Sequence, residues 1–398
     1  MKQSRRLRHR PSAANSESSA EVTPDFCAKL GGVESEESHP MAYILPQTRE
    51  FNISSPPDRQ AFGVVDNQGR AVTEAFQCRA GKSLTNAEGL ERRFKGQQEW
   101  TRLDGAWYYG GILYPHFGHF MTESVHRLRG YIEHAERYTG VIFLKTPQLG
   151  TFDYDPLDFP HVCDTLFDYF SLSKDDVFIC DTPLEIESLT SVPQQSQLGI
   201  PISADYLNFL GQLQVRYVAK FMAEEDRPAT PDRVFISRRR YLSAGRALGM
   251  RAVEEVYEEN GYEVFEPERW PLTVQVTTVS QASNVACEAG SAIHLLDIMG
   301  KLNIDLTVLS RRGLDRTYWY NLYRPRVKRM IVFDAVFPIV DYTMTPHDRG
   351  HSLIHPQEIM AFMEREHIVF NRAKFLDRLR YHTSEDMQQM FLCLPRRQ

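Results

Sequence analysis

The chain has no apolar run approaching the roughly 18 residues that a membrane-crossing helix needs. Its basic start, MKQSRRLRHRPSAANSESSAE, has no apolar segment behind the arginines, so neither a span nor a secretory leader is expected. GxGxxG, GxxxxGKS/T and HExxH are missing, which removes the nicotinamide fingerprint, the P-loop and the zinc-peptidase signature. Cysteine is sparse: Cys27, Cys78, Cys163, Cys180, Cys287 and Cys393 are scattered with no CxxC pair. That spacing suits reduced thiols in a cytoplasmic protein, with Cys180 and Cys287, each closing an apolar run, read as core. No charge of one sign dominates, and a net charge of −6 argues against a general nucleic-acid binder.

What is present is ordinary globular material, 398 residues with 42% hydrophobic and 25% charged, enough for two domains with separate cores. Residues 1–40 read as a disordered basic arm, solvated, with contact to an anionic membrane surface as the alternative. Residues 41–225 read as an α/β domain, β-rich up to Leu113, with strands at Val141–Leu144, Val177–Ile179 and Leu184–Val192 and a helix over about Ser203–Ala223. The charged, proline-bearing EEDRPATPD, Glu224–Asp232, is the expected boundary. In residues 226–325 apolar strands (Arg233–Ser237, Tyr262–Phe265, Asn284–Cys287, Leu306–Leu309) alternate with helices (Arg251–Asn260, Leu272–Ala282, Ser291–Met299). This pattern implies parallel βαβ units whose ligands bind at the carboxyl edge of the sheet. Residues 326–398 add a strand-like run, Met330–Phe333, and helices near Pro356–Glu366 and Phe370–Tyr381 that would pack back across both domains.

The densest chemistry lies in GGILYPHFGHFMTESVHRLRGYI, residues 110–132. At about 100° per residue, His116, His119, Glu123 and Arg127 fall within roughly 80° of one another, opposite Phe117, Met121, Val125, Leu128 and Ile132. An amphipathic helix with a solvated face is the plain reading, but two histidines three apart, able to titrate near neutrality, point to a site for an anion or a sugar. A metal-dependent hydrolase using His119 and Glu123 is an alternative, although HxxHxxxE has the wrong order for a zinc peptidase and no further cluster offers ligands; no metal is expected.

Two loops leave the carboxyl edge of the second half. The first carries Arg238, Arg239, Arg240, Ser243, Gly245 and Arg246, with Arg251 opening the next helix. Guanidinium forks match phosphate oxygens, and three adjacent arginines cannot all point one way, so Arg238 with Arg251 or Arg246 is the expected diphosphate grip. In the second loop Gly290 permits close backbone approach, the amides of Ser291, Ala292 and Ile293 would face an anion, and Glu288 could accept ribose or sugar hydroxyls. These features fit a nucleotide-sugar better than a dinucleotide or ATP.

The ordered set of HxxHFxxExxxRL, the ISR strand end, the helix with Glu254 and Glu255, the strand closing in Glu266-Pro267-Glu268, and EAGSAIH resembles family-61 glycosyltransferases, particularly bacterial capsular polysaccharide members. The resemblance covers residues 105–310, about half the chain. It implies a GT-B-like fold, two Rossmann-like domains facing a cleft, and inverting, metal-independent transfer from a nucleotide-sugar held by the second domain to a glycan, polysaccharide or lipid-linked acceptor, with no cofactor. His119, Glu123 and Arg127 match its first motif, Arg238 the ISR arginine and Gly290 the glycine of the turn. His126 stands where many members have Pro, and Glu288 where many have His. On this reading His119 is the base, Glu123 holds its ring, and His116 is the substitute. Arg238, Arg251 and the amides after Gly290 stabilise the diphosphate, and Arg127 reaches the diphosphate or Glu123. A noncatalytic glycan- or nucleotide-binding protein, or a structural partner of a polysaccharide assembly, is the other class of reading.

Overall fold

A computed structural model describes residues 37–148, 151–223, 230–240, 245–311, 316–338 and 351–393. Most of the basic arm, the linker segment 224–229 and Ser243 therefore lie outside the described residues. Among the described residues no helix is long and apolar enough to cross a membrane.

The architecture is mixed α/β, built on two large sheets. The first contains β1 (Glu37–Leu45), β2 (Gly63–Val65), β3 (Thr101–Leu113), β4 (Gly140–Lys145), β5 (Val177–Cys180) and β6 (Leu184–Ser191) in the order β2-β1-β6-β3-β4-β5. Strands β6, β3, β4 and β5 run parallel, while β1 and β2 are antiparallel additions. Residues 37–40, expected in the arm, instead pair with Ser188–Ser191, because β1 continues its ladder along β6. A helix that the sequence pattern does not announce, α1 (Ala87–Gly96), is capped by Asn86, whose side chain accepts from the Gly89 amide. Helix α2 (Ala204–Met222) starts at the Ser203 cap and packs along the seam between the sheets.

The second sheet is wholly parallel: β7 (Arg233–Ile236), β8 (Glu263–Phe265), β9 (Asn284–Glu288), β10 (Leu302–Ser310) and β11 (Val327–Asp334), in the order β8-β7-β9-β10-β11. Parallel strands are covered on both faces, which is why β9 and β10 read as apolar runs without clean alternation. Helices α3 (Met250–Glu259), α4 (Leu272–Gln281) and α5 (Arg316–Tyr323) connect or flank these strands. Strand β11 belongs to this sheet, so the division expected after residue 325 falls inside it.

Among the described residues the C-terminal helices α6 (Pro356–Arg365) and α7 (Arg372–Cys393) pack on the second lobe. Ile359, Phe362, Phe375 and Leu379 share a core with Phe235, Val253 and Tyr257 of the second lobe alone. A larger core runs unbroken from the first sheet through α2 and α4 into the second, so the seam between the lobes is itself apolar.

Each sheet has a point where the chain reverses its direction of travel, and such points open a crevice at the carboxyl edge. In the first, β3 is followed by β4 and β5 on one side and β6 on the other. In the second, β7 is flanked by β8 on one side and β9 on the other. His116 follows β3, Arg238 follows β7, and Gly290 follows β9.

Candidate active site

Beyond β3 the chain passes through Tyr114 and Pro115 to His116, in extended conformation, and then turns into helix. That helix is not the single α-helix expected over residues 116–132. Phe117–His119 is α, Phe120–Ser124 is a π turn, and helix resumes only at Arg129–Glu133. The wider turn keeps residues four apart in contact but rotates everything after it. His119 and Glu123 meet, with Nδ1 and Oε1 at 3.2 Å. Arg127, expected beside them, points the other way.

Arg127 is fully buried and donates to the backbone carbonyls of Glu74, Val192 and Phe76. It joins three segments of the first lobe and reaches neither Glu123 nor the crevice, a correction to the stripe. His126 is also internal: it donates from Nε2 to the Met121 carbonyl (2.8 Å) and accepts at Nδ1 from the Tyr206 hydroxyl (3.0 Å) of α2. Burial pushes its pKa down to about 4.

Glu123 is held by residues that carry no motif or periodic signal. Arg79 donates from Nε to Oε1 (2.8 Å) and from Nη2 to Oε2 (3.0 Å), and Gln77 Nε2 donates to Oε2 (3.1 Å). Burial would raise this carboxyl, but hydrogen bonds from His119 and Arg79 and the guanidinium charge outweigh it and hold the pKa below the usual range. His119 Nδ1 faces both Glu123 Oε1, which only accepts, and Arg79 Nη2 at 3.3 Å, which only donates; Nε2 is the other nitrogen of a half-exposed ring. His116 opens to the crevice, yet desolvation, with repulsion from His119, His294, His161 and Arg238, lowers its pKa to about 4 and keeps it neutral.

The lobes meet beside His116, where a Cβ built on Gly118 would stand 3.1 Å from His294 of the second lobe. Arg238 is buried against Gly290: a Cβ built there would stand 2.2 Å from Nη1, so the guanidinium occupies the room a side chain would take. Its neighbours are turned aside. Arg239 pairs with Glu254 (2.8 Å) and Arg240 with Glu266 (2.8 Å), while Glu254 also accepts from Ser237. Arg246 lies in the cradle, buried, donating to the Arg239 carbonyl and facing Asp386 of α7 at 3.7 Å. Arg251 does not: it is exposed on α3 beside Glu255 (3.6 Å), because its position on the first turn faces α7.

Glu288 corrects a second expectation. It is 1% exposed, accepts at Oε1 from the Ala247 amide (2.8 Å), and lies among Arg246, Arg238 and Arg311. Burial nevertheless raises its pKa. It is an internal group set among the arginines rather than an open ligand for sugar hydroxyls. Ser291 and Ala292 begin a 3-10 helix, Ser291–Ile298, at the rim beside Gly290, where amides of a first turn lack intrahelical partners.

Further residues complete the crevice. Arg311 donates to the carbonyls of Ala289 and Gly245, bracing both loops. The Thr122 hydroxyl lies 3.0 Å from Asp297 Oδ2 and 3.1 Å from His294 Nδ1, across the lobe seam. Of these only His294 stood inside a motif, EAGSAIH; Arg79 and Gln77 come from short segments without periodicity. Cys78, Cys163, Cys180 and Cys287 are free thiols, and among the described residues no three His, Cys, Asp or Glu side chains form a metal-holding group.

Residues 117–301 fit the family model described as Glycosyltransferase 61, which supports that family and, with it, glycosyl transfer. No curated protein matches the chain.

Proposed function

We propose that this chain is a family-61 glycosyltransferase that moves a sugar, with inversion, from a nucleotide-sugar to a glycan, polysaccharide or lipid-linked acceptor. One observation carries the reading: an imidazole–carboxylate pair from the first lobe and an arginine–glycine cradle from the second stand at the lobe seam, where Gly118 meets His294 and Thr122 meets Asp297. The two-lobed frame, with a reversal point in each sheet, is read as GT-B. The family match spans the residues that bring the clusters together.

His119 is the base. The acceptor hydroxyl gives its proton to Nε2 while its oxygen bonds to the anomeric carbon; the bond from that carbon to the diphosphate breaks, and the electron pair leaves with the phosphate oxygen. Glu123 fixes the ring through Nδ1 and balances the imidazolium that forms, and Arg79 and Gln77 fix Glu123. Such help is worth roughly 10²–10⁴-fold. His116 lies beside this ring as a neutral partner for sugar hydroxyls. Arg238 and Arg246, with the amides that follow Gly290, receive the diphosphate, and positive charge already in place there should contribute comparably.

The hydrolase alternative places a cation against Glu123, where Arg79 already supplies one with two hydrogen bonds. We therefore read the transfer as metal-independent and needing no other cofactor. The test is a thermal-shift panel of UDP-, GDP-, CMP- and ADP-sugars followed by transfer assays with and without chelator. One donor class should stabilise the protein and chelator should leave turnover unchanged; a chelator-sensitive hydrolysis with no nucleotide effect would replace this reading.

A further inference from the structure

The crevice holds a second imidazole–carboxylate pair, and the mechanism above does not use it. His294 lies on the 3-10 helix that starts at Gly290, beside Arg238. Its Nδ1 is 2.8 Å from Asp297 Oδ2, 3.0 Å from the Tyr323 hydroxyl and 3.1 Å from the Thr122 hydroxyl. Asp297 is fully buried, and although burial would raise its carboxyl, the His294 hydrogen bond and the charges of His294 and Arg326 lower it, so it stays an anion. An anion that only accepts fixes the proton on Nδ1 and orients the ring.

The orientation matters because of what the other edge meets. A Cβ built on Gly118 would lie 3.1 Å from His294 Cδ2 and 3.4 Å from His116 Cε1. The Cδ2 side of the His294 ring is therefore turned toward the first lobe, with Gly118 between it and His116. Trp319 and Tyr323 lie against the ring, and among the described residues its hydrogen bonds all fall on Nδ1.

We infer that His294 is a second histidine of the transfer site, donating from Nε2 to the diphosphate oxygen that departs from the anomeric carbon, while Asp297 acts as its positioning residue. This rests on the transferase reading. Donation from Nε2 as well as from Nδ1 requires the doubly protonated ring, whose charge the Asp297 carboxylate offsets. The oxygen keeps the electron pair of the broken bond and accepts the hydrogen bond, while the acceptor's proton goes to His119. One pair takes up a proton; the other steadies the negative charge created opposite it.

A purely structural role, joining the lobes through Thr122, is the competing account, and three variants separate the two. In His294→Asn the amide nitrogen stands where Nδ1 was and keeps the bond to Asp297, but nothing stands at Nε2. In His294→Gln an amide reaches the Nε2 position. Thr122→Val removes the cross-lobe hydroxyl and leaves the imidazole. Calorimetry with UDP, GDP and inorganic pyrophosphate, together with melting curves and transfer rates, is the measurement. His294→Asn should melt like the wild type yet bind the preferred diphosphate roughly tenfold more weakly and transfer about 10²-fold more slowly. His294→Gln should recover part of the binding, and Thr122→Val should melt lower while binding normally. If His294→Asn melts lower and binds diphosphate as the wild type does, His294 is a lobe fastener and the inference fails while the transferase reading stands. If the wild type binds none of the three probes, the transferase reading fails and takes this inference with it.

Discussion

The two imidazole–carboxylate pairs share a chemistry and differ in where the carboxylate is anchored. Glu123 is gripped inside the first lobe by Arg79 and Gln77, and its histidine is half-exposed on the crevice wall. Asp297 sits on the seam, touching Thr122 from one lobe and Tyr323 and Arg326 from the other, and its histidine is nearly sealed. The first carboxylate is held within one lobe. The second takes hydroxyls from both, so Asp297 also helps to set how the lobes meet.

Substitutions should separate these roles, beginning with the largest effect. His119→Ala removes the proposed base and should cost transfer roughly 10²–10⁴-fold while diphosphate affinity by calorimetry stays within about twofold; transfer at the wild-type rate would remove His119 from the mechanism. Arg127→Met tests an arginine that faces away from both pairs. It leaves three buried carbonyls without their donor and should destabilise the fold by about 3–5 kcal/mol in urea melts, with whatever folded protein remains binding diphosphate normally.

His126 offers a pH test. Its folded pKa of about 4 lies below the ordinary value of 6.5, so between those values the unfolded chain binds a proton that the folded one refuses. Its contribution is complete above pH 6.5 and is lost as pH falls toward 4, by up to about 3 kcal/mol. Denaturant melts at pH 7, 6 and 5 should show this decline, and His126→Gln should flatten it; equal slopes would assign the loss to His116 and His161, which desolvation also lowers to about 4. Arg238→Ala should weaken diphosphate binding by about 1.5–3 kcal/mol, the range for a hydrogen bond to a charged group. Gly290→Ala should do the same by displacing that guanidinium. The smallest effect belongs to Arg251→Ala, a surface change expected within about 0.5 kcal/mol in stability and silent in binding.

Much of the frame was legible in the sequence, for physical reasons that also mark where legibility stops. The second lobe announced itself because parallel strands between helices must be apolar on both faces, and the ISR and EAGS loops fell where strand ends meet helices. His119 and Glu123 were readable because four residues make a contact in an α or a π turn alike. Arg127 was misplaced because periodicity assumes one uniform helix, and the π turn at Phe120–Ser124 breaks the phase. Arg251 and Glu288 were misjudged because neither the α7 packing nor the burial of β9's last residue is encoded locally. Arg79 and Gln77 gave no signal, since the strand Cys78–Arg79 is held by a long-range bond from the Cys78 amide to Gln194.

One acceptor near the C-terminus carries a practical lesson. Asp386 on α7 takes the Gly249 amide at 2.8 Å and faces Arg246, joining the last helix to the arginine loop. During synthesis the anion cradle therefore lacks a wall for as long as the ribosome still holds residue 386 in its tunnel. Fragments trimmed to residues 117–301 would lose that wall at one end and Arg79 at the other, so the unit to express and assay runs from β1 through α7.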